Sequence, residues 1–307
     1  MKNSPHPIQY QGSKRSLAST ILRYAPKEIE RFIEPFAGSA ALSIAAAARQ
    51  LAKSYLINDL NKPLTELLCL IVENPIEIAS FYEELWKQQH KNSVEHYYRV
   101  REDFNRTQDP RLFLYLLARC VKGAVRYNAD GLFNQSPDKR RKGTQPTTMR
   151  ANIIGVSSLL KDKSIFSSFD YREILNQASI GDLVYMDPPY QGVCGDRDSR
   201  YLSKISYDDF VIALEKLNRD RISYIVSYDG RRGDTTFGEL LPDSLELTRI
   251  ELEAGRSSQA TLLGRDEITY ESLYISKALV VRLSSEFAGQ RCLSEHQGLL
   301  ESGAHHV

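Results

Sequence analysis

Residues 31–34 (Arg-Phe-Ile-Glu) read as a short strand running into the small-residue loop Pro35-Phe36-Ala37-Gly38-Ser39. An alanine-rich stretch, Ala40 to Leu51, follows with the propensity of a helix, and a second apolar run, Tyr55-Leu56-Ile57, ends at Asn58-Asp59. Strand, loop, helix and strand in this order form a β-loop-α-β unit, whose two strands pair in parallel around the crossover helix. The fold class this predicts is α/β: a Rossmann-like, doubly wound sheet. In such a sheet a ligand lies outside the carboxyl ends of the strands. The first loop carries a single glycine, which argues against a pyrophosphate cradle, while the acid at the second strand end suits ribose hydroxyls. The unit therefore points to a nucleoside-like ligand without phosphates.

The same rhythm returns later in the chain. Residues 165–169, 183–186 and 222–227 read as strands, residues 210–217 as a helix, and residues 271–283 as late strand material. Between the two α/β portions the texture changes. Residues 82–89, 94–104 and 111–121 look helical, with apolar and aromatic residues at mixed spacings of three and four. Residues 125–134 then read as a hairpin turning at Asp130-Gly131. The expected organisation is an α/β domain of residues 1–62 and 146–283, an inserted, mainly helical domain of residues 63–145 carrying the β-hairpin, and a polar tail of residues 284–307.

The strand at 183–186 (Leu-Val-Tyr-Met) delivers Asp187-Pro188-Pro189-Tyr190. Each proline fixes its own φ, lacks an N–H and pushes the preceding residue toward extended backbone, so carbonyls there stay free to accept hydrogen bonds. A carboxylate, a preset carbonyl and an aromatic face together suit a flat, amino-bearing heterocycle. The bland alternative is a strand end followed by a proline-rich turn. In an open doubly wound order the first and fourth strands are neighbours across the switch point, which places this tetrapeptide beside the 35–39 loop.

Composition excludes several other classes. The 307 residues hold no apolar stretch near the roughly 20 residues a membrane span needs, and the N-terminus leads into no signal-peptide apolar region. Four cysteines stand far apart without a CxxC pair, so free thiols in a reducing, cytoplasmic setting are expected, and no metal site is expected. Net charge is only +1, so any nucleic-acid contact depends on clustering. One cluster stands out, Lys139-Arg140-Arg141-Lys142, which taken alone is a solvated loop.

From about residue 7 to 283 the chain resembles the adenine-N6 DNA methyltransferases that use S-adenosylmethionine, the group that includes the Dam and DpnII-type enzymes. Residues 7–14 (Pro-Ile-Gln-Tyr-Gln-Gly-Ser-Lys) resemble the opening motif of that family, residues 32–39 its cofactor loop, and residues 57–61 its ribose-binding strand end. Residues 168–171 are similar to a segment placing an acid and an aromatic near the cofactor adenine. Residues 187–190 are similar to the catalytic motif, and residues 123–128 and 131–134 to the hairpin that enters DNA. The resemblance implies S-adenosylmethionine on Tyr10, Lys14, Phe36, Ala37, Gly38, Ser39, Asp59, Asp170 and Tyr171. It implies catalysis by Asp187, Pro188, Pro189 and Tyr190, and contacts to double-stranded DNA from Lys122, Arg126, Asn128, Lys139, Arg140, Arg141 and Lys142. Residues 227–230 would line the pocket of the flipped base and residues 256–258 touch the DNA backbone.

Two departures are visible. Ala40 stands where many relatives have a second glycine, and residues 135–141 differ from the Dam-type continuation, so a GATC target is not implied. A monomer that modifies DNA beside a cognate restriction endonuclease is the expected biological setting. The competing readings are an N4-cytosine enzyme, which more often has Ser before the prolines, an RNA methyltransferase, and a non-catalytic DNA-binding module on the same scaffold. A C5-cytosine enzyme would need a cysteine after a proline, which this chain lacks.

Overall fold

The computed structural model describes residues 4–90, 92–189, 205–232, 235–256, 268–286 and 288. A short helix, α1 (Ala18–Ile21), precedes β1 (Ile29–Glu34), and α2 (Ala41–Ala48) crosses over to β2 (Ala52–Asn58). The two strands pair in parallel, with Phe32 opposite Tyr55 and Ile33 opposite Leu56. The helix is shorter than the alanine-rich run because its ends are set by backbone geometry. Ala40 sits in the left-handed region at φ 53°, Gln50 does so at φ 56°, and the Leu51 N–H closes onto the Ala46 carbonyl. A glycine would adopt the Ala40 conformation without steric cost.

One sheet holds the remaining strands: β3 (Ser164–Ser167), β4 (Leu183–Met186), β5 (Ser223–Arg232), β6 (Thr235–Phe237), β7 (Thr248–Arg256) and β8 (Ile268–Ile275). Their order is β3-β2-β1-β4-β5-β8-β7, with β6 paired to β5. The first five in this order run parallel, and β8 is antiparallel to both of its neighbours. Strand order reverses between β1 and β4, which pair through Phe32–Leu183 and Ile33–Val184. This is the expected adjacency of the first and fourth strands.

Alternation along the strands splits the interior into two cores. Phe32, Tyr55, Ile57, Leu183 and Tyr185 face one side of the sheet, while Ile33, Leu56, Val184 and Met186 face the other. The first core continues into α3 (Lys62–Glu73), α4 (Pro75–Gln88), α5 (Ser93–Thr107), α6 (Pro110–Arg119) and α7 (Pro146–Leu160). The second is covered by α8 (Tyr171–Leu175) and α9 (Tyr207–Arg219). Burial on both faces explains why these strands read as short apolar runs.

Three local expectations are corrected. Residues 125–134 turn back as expected, with the Asn128 N–H on the Leu132 carbonyl and the Asn134 N–H on the Arg126 carbonyl, but the pairing is the single bridge Tyr127–Phe133. The loop is held by its side chains. Phe133 is buried edge-on against the stacked Phe104 and Phe113 rings, and Asn105 brackets its backbone N–H and carbonyl. Residues 277–286 are helical where strand was expected, because the Ser276 hydroxyl accepts the Leu279 N–H and caps a helix at the end of β8. β7 has no counterpart in the sequence reading.

Candidate active site

The carboxyl ends of β1, β2 and β4 converge on a cavity of about 500 Å³. Every residue assigned to the cofactor lines it: Tyr10, Lys14, Phe36, Ala37, Gly38, Ser39, Asp59, Asp170 and Tyr171. Asp187, Pro188 and Pro189 line it too, while Tyr190 lies outside the described residues.

Asn58, buried at the end of β2, ties three segments together. Its Nδ2 donates to the Pro35 and Phe169 carbonyls, both at 3.0 Å, and its Oδ1 accepts from Ser167 Oγ at 2.8 Å and the Phe169 N–H at 2.9 Å. This amide also explains why the strand expected over 165–169 leaves the sheet after Ser167. Asp59 follows. Its Oδ2 accepts the Gly38 N–H at 2.8 Å and its Oδ1 the Asn61 N–H at 2.9 Å. Burial raises its pKa, and the two N–H donors oppose that rise. Gly38 has φ 50°, and a Cβ there would lie 2.9 Å from the Tyr10 ring, so the loop and residue 10 approach closely only because position 38 is glycine. Ser39 meets Ser13 at 2.9 Å between hydroxyls.

Charge gathers on the other wall. Lys14 lies 3.1 Å from Asp187 and 3.2 Å from Glu271 of β8. Burial pushes the Asp187 carboxyl up to about 6, Lys14 pulls it down and Glu271 adds to the rise. Glu34, at the end of β1, is 2% exposed and accepts from the Ser43 N–H at 3.0 Å and Ser43 Oγ at 2.5 Å. Burial pushes its pKa up to about 8, so the protonated form predominates at neutral pH.

Phe36 and Tyr171 form an aromatic corner with ring centroids 5.2 Å apart. Asp170 is engaged locally: it caps α8 through the Arg172 N–H at 2.9 Å and pairs with the Arg172 side chain at 2.8 Å, which holds its pKa down. Phe169 also lines the cavity and is 53% exposed.

The residues assigned to DNA lie outside this cavity. Lys122, Arg126 and residues 139–142 are exposed. Asn128 is turned inward, its Oδ1 accepting the Asp130 and Leu132 N–H groups at 3.1 and 2.8 Å. The base of the hairpin nevertheless joins the cavity wall through Val125 and Tyr127, and Tyr127 Oη donates to Asn61 Oδ1 at 3.2 Å. The preceding turn docks on the cofactor segment: the Gln11 N–H donates to the Gly123 carbonyl, and a Cβ at Gly123 would lie 2.8 Å from the Gln9 backbone. Of residues 227–230, Ser227 bonds Tyr185 Oη at 2.8 Å, and Asp229 is buried against Arg249 at 2.9 Å. Residues 257–258 lie outside the described residues, as does the side chain of Arg256.

Sequence reasoning gave no role to Glu34, Asn58, Asn61 or Glu271. The first three stand inside quoted motifs, and their polarity beside apolar strand residues was the available signal. Glu271 lies far along the chain on a strand with no motif. Among the described residues no group of three or more His, Cys, Asp or Glu is placed to hold a metal ion, and no helix is long and apolar enough to cross a membrane.

The model of the D12 class N6 adenine-specific DNA methyltransferase family matches residues 10–257. The type II methyltransferase M.MjaIII of Methanocaldococcus jannaschii is 30% identical over 233 residues, 69% of this chain and 78% of that protein. The DNA adenine methylase of Escherichia coli K12 is 29% identical over 194 residues, 62% of this chain and 66% of that protein. The retron Ec67 DNA adenine methylase of Escherichia coli is 29% identical over 200 residues, 60% of this chain and 63% of that protein.

Proposed function

This chain belongs to the D12 class of N6 adenine-specific DNA methyltransferases, and we propose that it transfers a methyl group from S-adenosylmethionine to N6 of an adenine flipped out of duplex DNA. The observation that carries the proposal is the position of Asp187, whose carboxylate faces the same cavity as Asp59 and the Gly38 loop.

The residues present fit S-adenosylmethionine. Asp59 spends one lone pair of each oxygen on a backbone N–H and keeps others for ribose hydroxyls. The Phe36–Tyr171 corner and the exposed face of Phe169 suit an adenine ring, and Tyr10, Lys14 and Ser39 surround the remaining space. When bound, S-adenosylmethionine supplies an electrophilic methyl group on a cationic sulfur.

The amino nitrogen of adenine is a poor nucleophile because its lone pair is delocalised into the ring. Asp187 and the Pro188 carbonyl accept its two N–H bonds, which favours tetrahedral nitrogen and stabilises the positive charge that grows there. Pro188 and Pro189 keep that carbonyl out of helix or turn hydrogen bonding. A carboxyl lifted to about 6 also suits the proton that nitrogen sheds after transfer. Tyr190, next in the chain, is assigned to stack on the extruded base, an interaction worth about 1–3 kcal/mol. Residues 63–145 are assigned to target recognition, with the exposed basic side chains on phosphates. The likeness to M.MjaIII, named a type II methyltransferase, supports a modification enzyme beside a restriction endonuclease, and we place its work in the cytoplasm.

Incubation with methyl-tritiated S-adenosylmethionine and duplex DNA, followed by digestion to nucleosides, tests this reading. Label is expected in N6-methyladenine and absent for Asp187→Ala. Label in cytosine, transfer only to RNA, or near-wild-type transfer by a folded Asp187→Ala protein would overturn it.

A further inference from the structure

Three distant segments meet at the Lys14 ammonium: the N-terminal segment itself, the end of β4 through Asp187 Oδ1 at 3.1 Å, and β8 through Glu271 Oε2 at 3.2 Å. The three side chains are 11, 21 and 23% exposed, so the group is shielded from bulk water yet borders the cavity. β8 reaches this point by close packing on β5. Gly230 is the register partner of Glu271, and a Cβ at Gly230 would lie 2.6 Å from the Tyr270 carbonyl oxygen.

We propose that Glu271 is a positioning residue for methyl transfer: it holds the Lys14 ammonium so that Asp187 can accept the adenine amino group while the site stays negatively charged. The inference rests on the assignment of Asp187 as that acceptor. A lone Lys14–Asp187 pair would be neutral and would commit Oδ1 to the ammonium. Glu271 offers the ammonium a second acceptor at nearly the same distance, so Lys14 keeps a full partner when the amino group arrives at Asp187. Two carboxylates sharing one ammonium also leave a net negative charge where positive charge grows on N6. Low exposure keeps these interactions from being screened as surface pairs are.

Among the described residues the titratable groups facing Asp187 are Lys14, Glu34 of β1, Tyr185 of β4 and Glu271 of β8. Burial raises the Glu34 pKa to about 8, so it is mostly protonated near neutral pH, and raises Tyr185 well above its ordinary range. Lys14 and Glu271 are therefore the charges acting on Asp187 near neutral pH. The Glu271 charge adds to the rise in the Asp187 pKa, so its removal lowers that pKa.

The isosteric variant Glu271→Gln tests the proposal by two readouts. In protein without cofactor, the titration midpoint of the ¹³C-labelled Asp187 carboxyl is expected to move down by about 0.5–1 pH unit. In turnover, the acid limb of the kcat profile should move the same way, while plateau kcat falls about tenfold and KM for S-adenosylmethionine stays within about twofold. A purely structural role would lower the melting temperature and leave the midpoint in place, and an unmoved midpoint overturns the inference. Should Glu271→Gln fail to fold, Glu271→Asp retracts the charge and is expected to give a smaller shift in the same direction, with no shift again overturning it. Wild-type protein that methylates no adenine would instead overturn the function proposed above, and with it the catalytic half of this inference, even where the midpoint moves.

Discussion

Asp59 at the end of β2 accepts the Gly38 N–H at 2.8 Å, locking the loop after β1 to the neighbouring strand end. Its second oxygen accepts the Asn61 N–H, so one carboxylate satisfies two backbone donors at the cavity wall. Asp59→Ala leaves both donors without their acceptor. The expected cost is about 1–3 kcal/mol in unfolding free energy. Cofactor affinity should fall about tenfold or more while the plateau rate changes less, because the proposed role is binding. Urea unfolding and calorimetric titration with S-adenosylmethionine check the two halves separately. Unchanged affinity in a folded variant would remove Asp59 from the ribose site.

Glu34 makes fold stability depend on pH in a direction opposite to that of a paired surface acid. Its folded pKa is raised from 4.5 to about 8 by burial, so the folded protein binds this proton more tightly than the unfolded chain. The group's contribution to stability is therefore fully present below the unfolded value, declines as pH rises from about 4.5, and is lost above about 8. Glu34→Gln keeps an acceptor for Ser43 and carries no charge. Its stability relative to wild type should rise between about pH 5 and pH 8 and level off above that, measured by urea unfolding at each pH. A difference that does not vary with pH would mean that Glu34 carries no such proton.

The basic run is a displayed patch whose backbone is pinned from below. Buried Arg119 donates to the Asp138 carbonyl at 2.9 Å, Gln89 to the Lys142 carbonyl at 3.0 Å and Tyr82 to the Thr144 carbonyl at 2.6 Å. Replacing Lys139, Arg140, Arg141 and Lys142 with glutamine should leave the fold and the methylated sequence unchanged. The slope of log affinity against log salt should become shallower by about 0.9 for each phosphate that the variant no longer neutralises. Arg141, already near Asp138 at 3.8 Å, is expected to contribute least. Fluorescence anisotropy of a labelled duplex across a salt series measures the slope, and an unchanged slope would place the DNA elsewhere.

Much of the site was legible because its parts are local. Apolar runs, helix propensity and turn chemistry within single segments were enough to read residues 31–59 as a strand, loop, helix and strand. The four residues of β4 could be read as a strand for the same reason, since a fully buried parallel strand is a bare apolar run. The hairpin was legible as a reversal but not as a loop held by Phe133, because its ladder is one bridge and its anchor lies on α5 and α6. The helix after β8 was misread because Ala-Leu-Val-Val suits either state, and only the Ser276 cap decides it.

The chemistry carried at each strand end is written locally: a carboxylate between an apolar strand and two prolines, a small-residue loop, an acid after the second strand. Which of these ends meet depends on the folded sheet. Glu271 stands beside Lys14 only because β8 inserts between β5 and β7, and Asn58 ties the loop after β1 to the end of β3 only because β2 lies between those strands. The physical reason is range. Propensity and periodicity act over a few neighbouring residues, whereas sheet order is set by burying two faces at once, a condition on the whole chain that no single segment records.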